Sequence, residues 1–180
     1  MARLPFSPDN LDGHDRSIYE AMVTRRKERG APFGGPYAAL MNHPVLCQKV
    51  EELGYYLKFE GHLSREVYQF AVLAVAKETG ADFEWTDHVE HALAAGVPRE
   101  VTDLLKKEGL AAASPHLPEP YQTASQVLKE TLAWKSIPDE VQGRAIRSCG
   151  ILGFVELVVL SGFYQMFSAI NQGFDVEMPR

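Results

Sequence analysis

Apolar residues recur along this chain at three- and four-residue intervals almost throughout, and the pattern predicts a succession of α-helices. A first helix is expected from about Leu11 to Arg29, with Ile18, Ala21 and Met22 on its apolar side and Gly30 as its stop. The following G-A-P-F-G-G-P-Y segment holds three glycines and two prolines, too many to sustain a helix, so it predicts a loop. Pro36 can open a short helical piece to Leu40, because its missing N–H costs nothing in a first turn. Asn42, before His43 and Pro44, reads as the cap of a helix from Val45 to about Lys58. Ser64 caps the next, Arg65 to Glu78, whose Val67, Phe70, Ala71, Val72, Leu73, Val75 and Ala76 are apolar nearly all round. Such a helix belongs at the centre of a bundle.

After Gly80 a histidine-bearing helix runs to Gly96, and Pro98 opens another toward Lys107. The stretch Gly109 to Pro120 reads as a flexible connection. Helices are expected at Tyr121–Trp134 and Pro138–Ser148, the latter with Asp139 and Glu140 placed favourably in its first turn. A long apolar helix from Ile151 to Asn171 closes the core. Glu156, Ser161 and Gln165 interrupt its apolar run, so it is expected to be a buried helix of a soluble bundle rather than a membrane span. No strand-like alternation occurs. The expectation is an all-α fold, residues 1–180 forming one domain with extended arms at 1–10 and 173–180.

Composition narrows the function classes. A formal charge of −6 and a pI near 5.5 leave no basic stripe to neutralise phosphates, so a nucleic-acid partner is not expected. Arg25, Arg26, Lys27 and Arg29 form one basic cluster, read as a solvated helix end. Two cysteines, Cys47 and Cys149, have neither disulfide-framework nor metal-ligand spacing, and the N-terminus carries no apolar leader; a cytoplasmic protein without a membrane partner is expected.

The candidate chemistry lies in Thr79–Val97. Glu84, His88 and His91 stand at i, i+4 and i+7, on one face of the helix. Three ligands on one straight helix do not converge readily on one ion, and no metal is assigned. A carboxylate one turn before an imidazole can orient the ring and raise its basicity, leaving one nitrogen for a substrate proton.

Five segments then carry a resemblance: P-F-G-G-P-Y-A-A-L-M-N-H-P, L-G-Y-Y-L-K-F-E, L-S-R-E-V-Y-Q-F-A-V-L-A-V-A, D-F-E-W-T-D-H-V-E-H-A-L-A-A-G-V and V-E-L-V-V-L-S-G-F-Y. In this order, from Phe33 to Phe174, the chain resembles the carboxymuconolactone decarboxylase family, in the superfamily that includes the alkylhydroperoxidase AhpD. The resemblance implies an AhpD-like helical bundle, assembled as a homotrimer or homohexamer, acting on a small-molecule substrate near a subunit interface. In the thiol-peroxidase branch a C-x-x-C pair precedes the histidine, and a glutamate on the preceding helix completes a proton relay. Here His88 holds the histidine position, Ala81 and Glu84 replace the two cysteines, and Gln69 stands for the relay glutamate. No thiol reaches the site through this motif, and peroxide reduction needs a thiolate.

What remains is acid–base chemistry without an organic cofactor. His88 is assigned as general acid/base, Glu84 as its partner and Gln69 as a third catalytic group. His91, Trp85, Tyr164 and Glu156 are assigned as substrate contacts, with Glu156 expected to pair with Arg144, Arg147 or a histidine. The expected reaction is a lyase or isomerase step, such as decarboxylation, on a small carboxylic acid or lactone, aromatic-derived compounds included. The alternatives are a peroxidase using Cys47 or Cys149, and a non-catalytic oligomeric binding or scaffold protein.

Overall fold

The structure is a computed structural model describing residues 4–31 and 33–178. Among these, all regular structure is helical: α1 (Gly13–Glu28), α2 (Pro36–Leu40), α3 (Pro44–Tyr55), α4 (Arg65–Thr79), α5 (Asp82–Ala94), α6 (Arg99–Ala113), α7 (Tyr121–Leu132) and α8 (Asp139–Gly173), with short turns at Pro8–Asn10 and Ser114–His116. The fold is an all-α single domain built on α4, which packs against α5, α6, α7 and α8. Every residue of α4 from Val67 to Ala76 is buried, as its all-round apolar pattern requires. The Ser64 hydroxyl accepts from the Val67 N–H at its start, and Gly80, left-handed at φ 64°, ends it.

Local chemistry moves several boundaries from where periodicity alone places them. Asn42 does not cap α3; its side-chain amide donates to the Ala39 carbonyl, closing α2 instead, and His43 with Pro44 opens α3. Past Tyr55 the chain widens into a π-helical turn, Tyr56–Glu60, before Gly61. The connection expected to begin at Gly109 is largely helical. Gly109 kinks α6 at φ 77°, but Leu110–Ala113 resume the helix with Leu110 and Ala113 buried, and Glu78 Oε1 accepts from the Leu110 N–H at 2.7 Å.

Gly150 breaks α8 in the same way at φ 71°, dividing it where two helices were expected. By length and composition α8 is apolar enough to cross a membrane, and only 33% of its apolar window is buried. The expectation of a buried helix therefore holds for one face. Leu157, Leu160, Phe163 and Tyr164 enter the core, while Ile151, Leu152, Val155 and Val159 lie exposed on the other.

The arms are partly anchored. Phe6 packs against Tyr19 and Phe33, with ring centroids 5.3 and 5.9 Å away. At the other end Glu177 and Met178 lie along a cleft beside α5. The outermost arm residues, 1–3 and 179–180, lie outside the described residues.

Candidate functional site

A cleft of about 830 Å³ opens between α1, the loop before α2, the end of α3, and α5 and α8. Glu84, His88 and His91 all reach it from α5, as their helical spacing requires. Aromatic side chains of Tyr37, Tyr68, Phe83, Phe163, Tyr164 and Phe167 form much of its wall. The loop shape is set by Gly35, at φ 57° and ψ −138°, where a Cβ would come within 2.8 Å of Phe83 Cζ. A residue with a side chain would meet both backbone strain and a collision.

His88 is buried and held from both sides. Its Nδ1–H donates to Gln69 Oε1 at 2.9 Å, which leaves the Nε2 lone pair turned toward the Tyr164 hydroxyl at 3.4 Å, Glu84 Oε2 at 3.6 Å and Asp87 Oδ2 at 3.7 Å. The Tyr164 hydroxyl also meets that of Tyr68 at 2.8 Å, so α4, α5 and α8 are joined through one polar thread. Glu84 is steadied by Asn171 of α8, whose amide donates to Oε1 at 2.6 Å. Gln69 Nε2 and Asn171 Oδ1 are buried without a hydrogen-bond partner among the described residues.

Electrostatics reverse the simplest expectation for this pair. Burial, with the Lys58 and His91 charges, holds His88 well below the usual imidazole range, so the ring is neutral and its basicity is lowered rather than raised. Burial pushes the Glu84 carboxyl up to about 7, against the Asn171 hydrogen bond that favours its ionised form. The ring is oriented by Gln69, and Glu84 is the group poised to gain or lose a proton near neutrality.

The other assigned residues divide. Tyr164 and His91 line the cleft, the latter exposed with its ring 6.1 Å from His88. Gln69 does not line it; fully buried behind the imidazole, it positions His88. Trp85 points away, because its place one residue after Glu84 turns it about 100° around the helix. Its indole packs toward α6, 5.7 Å from the Lys106 amine, and Phe83 takes the wall position.

Glu156 belongs to a separate cluster. It accepts from the His62 N–H at 2.6 Å, the Leu63 N–H at 3.2 Å, His62 Nδ1 at 2.8 Å and the Tyr56 hydroxyl at 3.1 Å. Burial opposes its charge, but these donors outweigh it and hold the carboxyl below its usual range. Its partner is therefore a histidine, not Arg144 or Arg147. Gly61 makes this possible, since a Cβ there would stand 2.8 Å from Glu156 Oε2. The cluster ties the π-helical turn to α8.

The chain trace is shared with two solved structures. A protein of unknown function from Agrobacterium tumefaciens, described as a candidate AhpD antioxidant defence protein, gives a TM-score of 0.65 at 18% identity, over 78% of this chain and 95% of its own. The debrominase Bmp8, a cysteine-to-alanine variant in complex with 2,3,4-tribromopyrrole, gives 0.66 at 13% identity, over 94% of this chain and 89% of its own. This chain has the AhpD-like helical fold. At these identities the likeness extends to the fold alone. No protein-family model matches the sequence, and no curated protein is significantly similar to it.

Within the AhpD-like fold, the cleft gathers residues that sequence reasoning missed. Arg26 and Arg29, read as part of a solvated helix end, form one rim, with Arg26 4.4 Å from the Tyr37 ring centroid and Arg29 3.7 Å from that of Tyr55. Arg29 and Arg25 also pair with the buried Glu51, at 3.5 and 3.1 Å. Lys58, within the π-helical turn, and Arg65, at the start of α4, line the same cleft. Asn171 carried the one usable signal: a polar residue two turns after Tyr164, on the same face of an apolar helix.

Proposed function

We propose that this protein is a small enzyme that moves protons on a carboxylic acid or lactone, a lyase or isomerase step carried by Glu84 and His88 without an organic cofactor. The observation behind this reading is the pairing of a buried carboxyl, poised at about 7, with a neutral imidazole whose free nitrogen faces the same cleft. Glu84 takes the proton from the carbon next to the substrate carbonyl and returns it elsewhere. Its burial makes it basic enough for this near neutral pH. The Tyr164 hydroxyl, whose pKa burial raises well above its usual value, stays protonated, and in the substrate complex it turns its one proton from His88 Nε2 to the developing enolate. The flat aromatic walls suit a planar, unsaturated substrate.

A thiol peroxidase fits these positions poorly. Burial pushes Cys47 up to about 12, and its Sγ faces Met22 Sδ and the Tyr37 carbonyl; Cys149, raised by burial and by Glu156, lines a different hollow. Neither thiol lines the His88 cleft. Assembly into a homo-oligomer is part of the same proposal, supported by the exposed apolar edge of α8.

Incubation with a panel of small unsaturated carboxylic acids and lactones in deuterated water tests the reading. Proton NMR should show exchange beside the carbonyl of at least one member, and Glu84→Gln or His88→Gln should slow it by at least a hundredfold, on the order expected for a lost general base. A panel that never exchanges, or variants that exchange like the native protein, would leave the non-catalytic binding role.

A further inference from the structure

We infer that Lys58 and Arg65 form the anchor for the substrate's carboxylate, and that this carboxylate is retained in the reaction. The inference rests on the acid–base reading of the cleft and names its substrate class more narrowly.

The cations of the cleft are not equivalent. Arg29 is paired with Glu51, which it shares with Arg25. Lys58 and Arg65 make no ion pair with a carboxylate among the described residues, although both line the cleft. They stand together over one ring: the Lys58 amine lies 5.6 Å and the Arg65 guanidinium 5.2 Å from the Phe59 centroid, and Arg65 Nη1 donates to the Lys58 carbonyl. Two neighbouring cations, one of them half-buried, repel each other and lose hydration, a cost that a bound anion offsets. Burial and Arg65 accordingly lower the Lys58 pKa, and the charges of Asp87 and Glu84 oppose this without reversing it. Lys58, Arg65, Glu84 and His88 line one cleft, so an anion held by the two cations shares it with the proton-transfer pair.

This arrangement orients a substrate and restricts its chemistry. A carboxylate clamped by an ammonium and a guanidinium is stabilised as the anion, so its loss as carbon dioxide is opposed. Proton transfer by Glu84 then falls on a carbon remote from the anchored group. The class that fits is a planar unsaturated or lactone-bearing carboxylate that is isomerised, or a diacid that loses its other carboxylate.

Calorimetric titration of the native protein with benzoate and with benzamide tests the anchor separately from catalysis, because benzoate has no position to exchange. Benzoate should bind at least tenfold more tightly than benzamide, weaken as salt is added, and lose roughly ten- to a hundredfold in Lys58→Met and in Arg65→Met, with Lys58→Arg keeping most of the affinity. Cys149→Ser, outside this cleft, should bind benzoate like the native protein. Equal affinity for benzoate and benzamide in the native protein, or undiminished benzoate binding in Lys58→Met, would overturn the anchor. Benzoate binding of this pattern in a native protein that exchanges no member of the acid and lactone panel would instead refute the acid–base reading and leave the anchor standing.

Discussion

Replacing Glu84 with glutamine removes the buried carboxyl that faces His88 while keeping an oxygen to accept from the Asn171 amide. The native carboxyl is raised from 4.5 to about 7 by burial. Between those values the unfolded chain has released this proton and the folded protein still holds it, so stability falls as pH rises. The slope is about 1.4 kcal/mol per pH unit. From about pH 5.5 to about 7 the loss attributable to Glu84 is therefore about 2 kcal/mol, and above 7 the curve levels as both states ionise. Other groups titrate in the same range, including His88, whose lowered pKa works in the opposite direction, stability being lost as pH falls. The difference between the native protein and Glu84→Gln cancels them to first order. Urea unfolding at about pH 5.5, 7 and 8.5 should show Glu84→Gln gaining about 2 kcal/mol on the native protein across the lower interval and little beyond it. Parallel curves would refute a raised Glu84 carboxyl and, with it, the group assigned to proton transfer.

Gly35→Ala should cost about 1–3 kcal/mol in urea unfolding, because φ 57° and the 2.8 Å approach of Phe83 Cζ leave no room for a Cβ; a cost near zero would mean the loop refolds freely. Tyr164→Phe leaves the buried Tyr68 hydroxyl without its 2.8 Å partner and should cost about 1–3 kcal/mol in the same assay while slowing deuterium exchange; unchanged exchange would remove Tyr164 from the enolate-donor role. Cys149→Ser and Cys47→Ala should exchange deuterium within about twofold of the native protein, and a large loss in either would bring the thiol reading back. Leu73→Ala, at the fully buried centre of α4, should lower stability by about 2–5 kcal/mol with the exchange reaction retained in the folded fraction; a cost below 1 kcal/mol would contradict the central placement of α4.

The helices were legible because their signals are local. The all-round apolar run Val67–Ala76, Ser64 and Gly80 at its ends, and Gly150 dividing the last helical stretch each act through the residues beside them. The Glu84, His88, His91 face was legible for the same reason, helical spacing being a property of the chain itself. Trp85 was misplaced because spacing tells which residues share a face but not which neighbour that face meets. Here α6 takes the indole and the cleft takes Phe83. Glu156 was misplaced because its donors lie 93 to 100 residues away along the chain.

Sequence alone thus determined the all-α class, the central helix and the acid–histidine face, all of which depend on contacts within one or two turns. Tertiary structure decided the chemistry of that face. Only packing could bury Glu84 and His88 together, bring Gln69 behind the ring and Asn171 onto the carboxyl, and turn the arginines of α1 from a helix end into a cleft rim. Proton affinity depends on hydration and on charges across the fold, and neither is set until distant segments meet.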